Sequence, residues 1–360
     1  MRFAPFFLFQ KPPGRGDDRS ILQGELDAIV ECEALGYDAA FIAEHVFSPY
    51  SLASSPASLL GYLAARTRTL RLGIAVVVVP LSHPLRIAAD WATLDVISGG
   101  RVELGLGRGY NWFEFDSLGL DLDENTDRFV EGVQVIQGAW TRERMTFHGR
   151  FFDIVEAEVL PRPLQQPHPP MFYASSTGES VLMAARAGLG SCASSRPTPA
   201  ELNARRRAWL EAARAAGHSE EHIQRALRYT PTQRTVWVAE TDAQAVREAR
   251  PLLQSFLDLQ AAYGIPGHAY PGRSAPAEHP QYQERLARRG PGGSMTWESL
   301  WDNYGVLAGS PATVRSRLKE LLDQSPIDYL MLYSSQGGPP VEDLRRSLRL
   351  FADKVMPHFK

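Results

Sequence analysis

Short apolar runs alternate with longer amphipathic segments along the whole chain, and this alternation restricts the fold more than any other feature. The apolar runs are Arg2–Phe9, Asp38–Ala43, Leu70–Val79, Arg101–Leu106, Pro170–Ala174, Gly190–Ala193, Arg234–Ala239 and Asp328–Tyr333. Val76–Val79 within the third is typical of a parallel strand buried on both faces. Between the runs, Ile21–Leu35 carries Ile21, Leu22, Leu26, Ile29 and Val30 at helical spacing, and Gly36 supplies a left-handed stop. Helices are expected likewise over Ser58–Ala65, Pro84–Ile97, Asn125–Trp140, Glu179–Ala187, Pro199–Ala216, Asp242–Tyr263, Pro311–Leu322 and Pro340–Lys354. Buried strands joined by helices imply a parallel sheet, and about eight such units favour a closed barrel over an open doubly wound sheet. No G-x-G-x-x-G opens a helix after the first strand, which weighs against a dinucleotide fold.

The expectation is therefore an α/β chain folded as one (β/α)8 TIM barrel with insertions. A length of 360 residues exceeds the roughly 250 of a bare barrel, and the surplus has identifiable places. Insertions are expected at about 110–124, rich in aromatics and acids, at about 145–155, and at about 264–295. The second resembles a hairpin turning at Gly149-Arg150, a two-residue loop by its sequence. The third is rich in glycine and proline and carries Arg285, Arg288 and Arg289, as expected of a lid or a passive insertion.

Charge and cysteine content exclude several classes. Lys+Arg 38 against Asp+Glu 41 gives a net charge of −3, without the basic excess of a nucleic-acid binder. Cys32 and Cys192 cannot build a disulfide framework and have no metal-binding spacing, so a reducing, cytoplasmic setting is expected. The apolar stretch Gly73–Leu81 is far below the roughly 20 residues of a membrane span, and the N-terminus reads as a strand.

Barrel chemistry belongs at the C-terminal ends of strands. Ala43-Glu44-His45-Val46-Phe47 places a histidine beside an acid and aromatics. Such a histidine serves as a proton-transfer group near neutral pH, or is simply a loop histidine paired with Glu44. His83, before Pro84, reads as a helix entry, and the other histidines as surface; no metal site is expected. Arg108 stands between Gly107 and Gly109, where small neighbours let a ligand approach and a guanidinium suits a phosphate. Ser175-Ser176-Thr177-Gly178 opens a helix, as an anion site or as an ordinary N-cap.

With these residues in view, the chain resembles the luciferase-like monooxygenases. The resemblance lies in MRFAPFFLFQKPP, Glu44-His45-x-Phe47, Gly73-Ile-Ala-Val-Val-Val-Val-Pro80, His83-Pro84 and Leu94-Asp95-x-x-Ser98-x-Gly100-Arg101. It continues through Gly107-Arg108-Gly109, the Ala174–Ser176 turn before Ala184-Ala185-x-x-Gly188, Gly309-Ser-Pro, Leu350-Phe351 and Val355-Met356-Pro357. The resemblance implies a homodimeric two-component enzyme that takes reduced FMN from a separate flavin reductase. Oxygen would add at the flavin C4a, and the resulting hydroperoxide would oxygenate an aldehyde, a ketone or another organic substrate. His45 matches the family's active-site histidine. Glu44, Arg108 and Tyr110 match positions near the cofactor, and Ser175, Ser176 and Ser180 match the phosphate turn. Ala75–Val76 matches a non-proline cis peptide under the flavin ring. Phe6 and Trp112, with Phe7 and Phe113, are expected apolar walls for substrate. Two departures stand out: Val46 replaces the second histidine of the luciferase pair, and Gly107 replaces a reactive cysteine, which tells against light emission. The alternatives are an oxidoreductase using the deazaflavin F420, and a non-catalytic flavin-binding subunit.

Overall fold

The computed structural model describes residues 1–175, 177–264 and 295–360. Ser176 and nearly all of the expected 264–295 insertion lie outside the described residues. In chain order the strands are β1 (Arg2–Phe7), β2 (Ala39–Ile42), β3 (Arg71–Val78), β4 (Val102–Gly107), β5 (Met145–His148), β6 (Asp153–Ala157), β7 (Met171–Ala174), β8 (Gly190–Cys192), β9 (Thr232–Val238), β10 (Val306–Gly309) and β11 (Tyr329–Tyr333). The helices that position the site are α1 (Asp18–Ala34), α2 (Pro56–Arg66), α3 (Pro84–Ser98), α4 (Trp112–Ser117), α5 (Asn125–Thr141) and α6 (Gly178–Arg186). Further along the chain come α7 (Pro199–Ala215), α8 (Glu220–Arg228), α9 (Asp242–Leu259), α10 (Trp297–Asp302), α11 (Pro311–Gln324) and α12 (Val341–Lys354).

Nine strands form one parallel sheet in the order β10-β9-β11-β1-β2-β3-β4-β7-β8, with β5 and β6 as a separate hairpin. The sheet curls, and a bridge from Ala193 to Thr232 brings the β8 edge to the start of β9. All eight expected strands are present. The ninth, β10, falls where the sequence reads as irregular, because a four-residue Val-Leu-Ala-Gly run is too short to show a period. The helices α8 and α10 are likewise unforeseen. The hairpin loop spans Gly149 to Phe152 instead of two residues, since Glu131 accepts the amides of Arg150 and Phe151 and holds the wider turn.

Glycines in the strands make room for rings inside the sheet. A Cβ at Gly73 would lie 2.2 Å from the Phe41 ring, and one at Gly105 would lie 2.6 Å from Phe172. Those two rings meet edge to face at 5.9 Å. At the N-terminal ends of the strands, buried Glu103 meets Arg71, Arg2 and the Tyr329 hydroxyl, filling that end with charge. The Ser98-x-Gly100-Arg101 motif is structural. Buried Arg101 donates to the carbonyls of Ala64, Thr67, Leu70 and Ser98, tying the end of α2 to α3. The opposite, C-terminal ends of the strands are left for the site.

Candidate functional site

Extended chain beyond β2 carries His45 to the strand ends, where its Nδ1 lies 2.8 Å from Oε1 of Glu114. The Val46 amide donates to the same oxygen at 3.2 Å. The two side chains are 12% and 1% exposed, so the pair is shielded from water. Glu114 stands in the first turn of α4, whose N-cap Asn111 accepts the Phe113 amide. The 110–124 segment is thus a helix-bearing loop that delivers a carboxylate, beyond the aromatic wall expected of it. Glu44 is not the partner of His45: its Oε2 accepts the Val78 amide at 2.6 Å. Burial pushes the Glu44 carboxyl up to about 7, against the Val78 bond, and the nearby Glu114 charge adds to the rise.

Aromatic rings enclose His45. The Tyr50 ring lies edge-on at 4.6 Å and Tyr110 at 5.9 Å, and the two hydroxyls are 3.3 Å apart. Register pairs Phe6 with Tyr333, and their rings are 5.1 Å apart. Phe256 bridges Tyr333 at 5.5 Å and Tyr50 at 6.3 Å. Burial holds the Tyr50 and Tyr333 phenols well above their ordinary range, so both stay protonated. Phe6 and Tyr110 were expected here. Tyr50, Phe256 and Tyr333 were not, because only tertiary packing assembles residues so distant in sequence. Trp112 is half-buried, packed with Val76 against Val78, Phe115 and Leu122, a core role as much as a wall.

The Ala75–Val76 peptide is cis, as expected. Val76 lies against β4, where a Cβ on Gly107 would sit 2.4 Å from the Val76 Cγ2. That contact explains why no cysteine occupies position 107. Gly109 has φ +76°, and a Cβ there would press on Phe115 and Val78. Half-buried Arg108 donates to the Thr126 hydroxyl at 2.8 Å and forms no ion pair among the described residues. Leu106 pairs with Tyr173, so the parallel register carries Arg108 level with Ser175.

Of the serines expected to receive phosphate, Ser175 and Ser180 are turned inward. Buried Ser175 donates to the carbonyls of Tyr173 and Ser180, and Ser180 forms a capping box with Thr177 at the start of α6. The ordinary N-cap therefore accounts for Ser180. Other sequence readings divide. His83 accepts the Leu85 amide at the start of α3, as expected of a helix entry. His168, read as surface, is half-buried, and burial holds it down at about 4. Cys32 and Cys192 are buried and unpaired. Among the described residues no group of three or more His, Cys, Asp or Glu side chains is arranged to hold a metal, and no helix is long and apolar enough to cross a membrane.

Known proteins resemble this chain to different extents. An uncharacterized protein, y4wF, of Sinorhizobium fredii is 30% identical over 86% of this chain and 84% of its own. The oxygenase component of a flavin-dependent trigonelline monooxygenase from Acinetobacter baylyi is 28% identical over 52% of each chain. An F420-dependent glucose-6-phosphate dehydrogenase from Kineococcus radiotolerans is 33% identical over 56% of this chain and 61% of its own. These last two are thus matched over less than two thirds of their length. The crystal structure of the monooxygenase RslO1 from Streptomyces bottropensis superposes with a TM-score of 0.81 over the whole of both chains, at 25% identity. The family model described as luciferase-like monooxygenase matches residues 1–328, and the chain belongs to that family.

Proposed function

We propose that this chain is the oxygenating component of a two-component, FMNH2-dependent monooxygenase, acting as a homodimer on a small organic substrate and supplied by a separate flavin reductase. The observation that carries the reading is His45, anchored by Glu114 inside an aromatic recess at the strand ends. The family match and the oxygenase-component relative support it. We read the curled sheet as an eight-stranded barrel with β10 added outside the ring, and the chain as one unit bearing insertions.

The residues present fit a phosphorylated flavin. The Arg108 charge has no ion-pair partner among the described residues, and parallel register brings it level with Ser175, just before the start of α6. Arg108 would hold the phosphate together with amides at the start of α6, the helix that Thr177 and Ser180 cap. The isoalloxazine would rest against Ala75–Val76, beside Glu44 and Tyr110. Reduced flavin supplies the electrons that activate oxygen. His45 would hold or release a proton at Nε2, and Phe6, Trp112 and Tyr333 would exclude water and orient an apolar substrate. Replacing His45 with Ala should lower turnover with FMNH2 and oxygen by about 10²–10⁴-fold while FMN still binds. Unchanged turnover would remove His45 from the chemistry.

A second reading, hydride transfer with F420, is favoured by the F420-dependent relative. Spectral titration with FMN and F420, followed by oxygen uptake, separates the two readings.

A further inference from the structure

Two features of the His45 pair go beyond mere proximity. First, one carboxylate oxygen serves both neighbours: Oε1 of Glu114 meets the Val46 amide at 3.2 Å and the imidazole Nδ1 at 2.8 Å. Second, Nε2 of His45 forms no hydrogen bond among the described residues. An amide N–H can only donate, so the oxygen receiving it is an acceptor, and a protonated carboxyl oxygen accepts poorly. The proton between Oε1 and Nδ1 therefore sits on nitrogen. We infer that Glu114 is a positioning residue that fixes His45 as the Nδ1–H tautomer, leaving Nε2 as the nitrogen that exchanges a proton with bound reactants.

The Val46 backbone is part of the device. The carboxylate is oriented by the backbone amide of residue 46, a donor that does not depend on the side chain there. Glu44 is engaged elsewhere, its Oε2 accepting the Val78 amide, and forms no hydrogen bond to the imidazole among the described residues. Tyr50 and Tyr110 present ring edges and faces to the imidazole, which shield it without choosing a tautomer. Choice of tautomer thus depends on α4, an element of the 110–124 insertion, and on its Asn111 cap. A carboxylate that orients a catalytic imidazole through its far nitrogen is a recurring solution on unrelated folds.

This role rests on the oxygenase reading for its purpose, but the tautomer is measurable without any cofactor. Full-length protein carrying ¹⁵N-labelled histidine is compared with E114Q and E114A by two-bond ¹H–¹⁵N correlation of the neutral ring, the His45 signals being assigned by their loss in H45Q. The expected result is Nδ1–H in the wild type, retention in E114Q, whose amide oxygen still accepts, and loss of the preference in E114A. In turnover, E114A should lose about 10–100-fold in kcat/KM and E114Q should recover much of it. An Nε2–H wild type, or an E114A protein that keeps both the tautomer and its turnover, overturns the inference. The wild-type spectrum alone decides the tautomer if E114A does not fold. The expected tautomer in a protein whose H45A variant is fully active would leave the positioning intact and sink only the oxygenase reading.

Discussion

Glu25 offers a stability measurement that does not depend on function. It sits on the inner face of α1, 1% exposed. Its Oε2 accepts the amide of Phe9, a residue with positive φ, and its Oε1 makes no close hydrogen bond among the described residues, the Ser335 hydroxyl lying nearby. Burial pushes its carboxyl from 4.5 up to about 7, opposed by the Phe9 bond, the Ser335 hydroxyl and the Arg15 charge. The folded state therefore keeps a proton that the unfolded chain releases near 4.5. This contribution to stability is complete below the unfolded value and is lost as the pH rises toward the folded one. Between about pH 5 and about pH 8 the loss amounts to roughly 2–3 kcal/mol. Glu44 acts in the same direction, so removing Glu25 removes only one share. Glu25→Gln keeps an acceptor for Phe9 and cannot ionise. Urea unfolding of both proteins at the two pH values should show the variant gaining roughly 2–3 kcal/mol relative to wild type on going from acid to alkaline. A difference that does not change with pH would mean that Glu25 ionises normally in the fold, and the burial argument would fail.

Two further substitutions address the proposed flavin site. Gly107→Ala drives a methyl into Val76, a β-branched residue with little torsional freedom. It should cost about 1–3 kcal/mol in denaturant unfolding and weaken FMN binding, and an unperturbed variant would show that the strands yield there. Arg108→Ala should weaken FMN by roughly 1.5–3 kcal/mol and leave riboflavin unchanged, because only FMN offers the phosphate; equal losses for both in fluorescence titration would place Arg108 elsewhere.

Several features of this protein are legible in its sequence because they are local. Hydrophobic period, helix stops and proline-led helix starts show in a short window, so the eight expected strands appear within a residue or two of their observed ends. His45 and Arg108 are legible because barrel topology makes the strand ends special. Glu114 is not. It lies 69 residues from His45, and its acidic, aromatic surroundings resemble an exposed loop until α4 turns the carboxylate inward. Ser180, matched to the phosphate turn by family resemblance alone, is engaged in the capping box with Thr177, a role its place in the sequence does not announce.

The chain by itself therefore determined its parallel α/β architecture and the strand-end positions of two candidate site residues, His45 and Arg108, since periodicity and strand-end position are properties of neighbours in sequence. Only the tertiary structure decided which carboxylate meets His45, which rings enclose it, and why position 107 must be bare. Those are contacts across strands and loops, set by register and packing, and no local pattern encodes them.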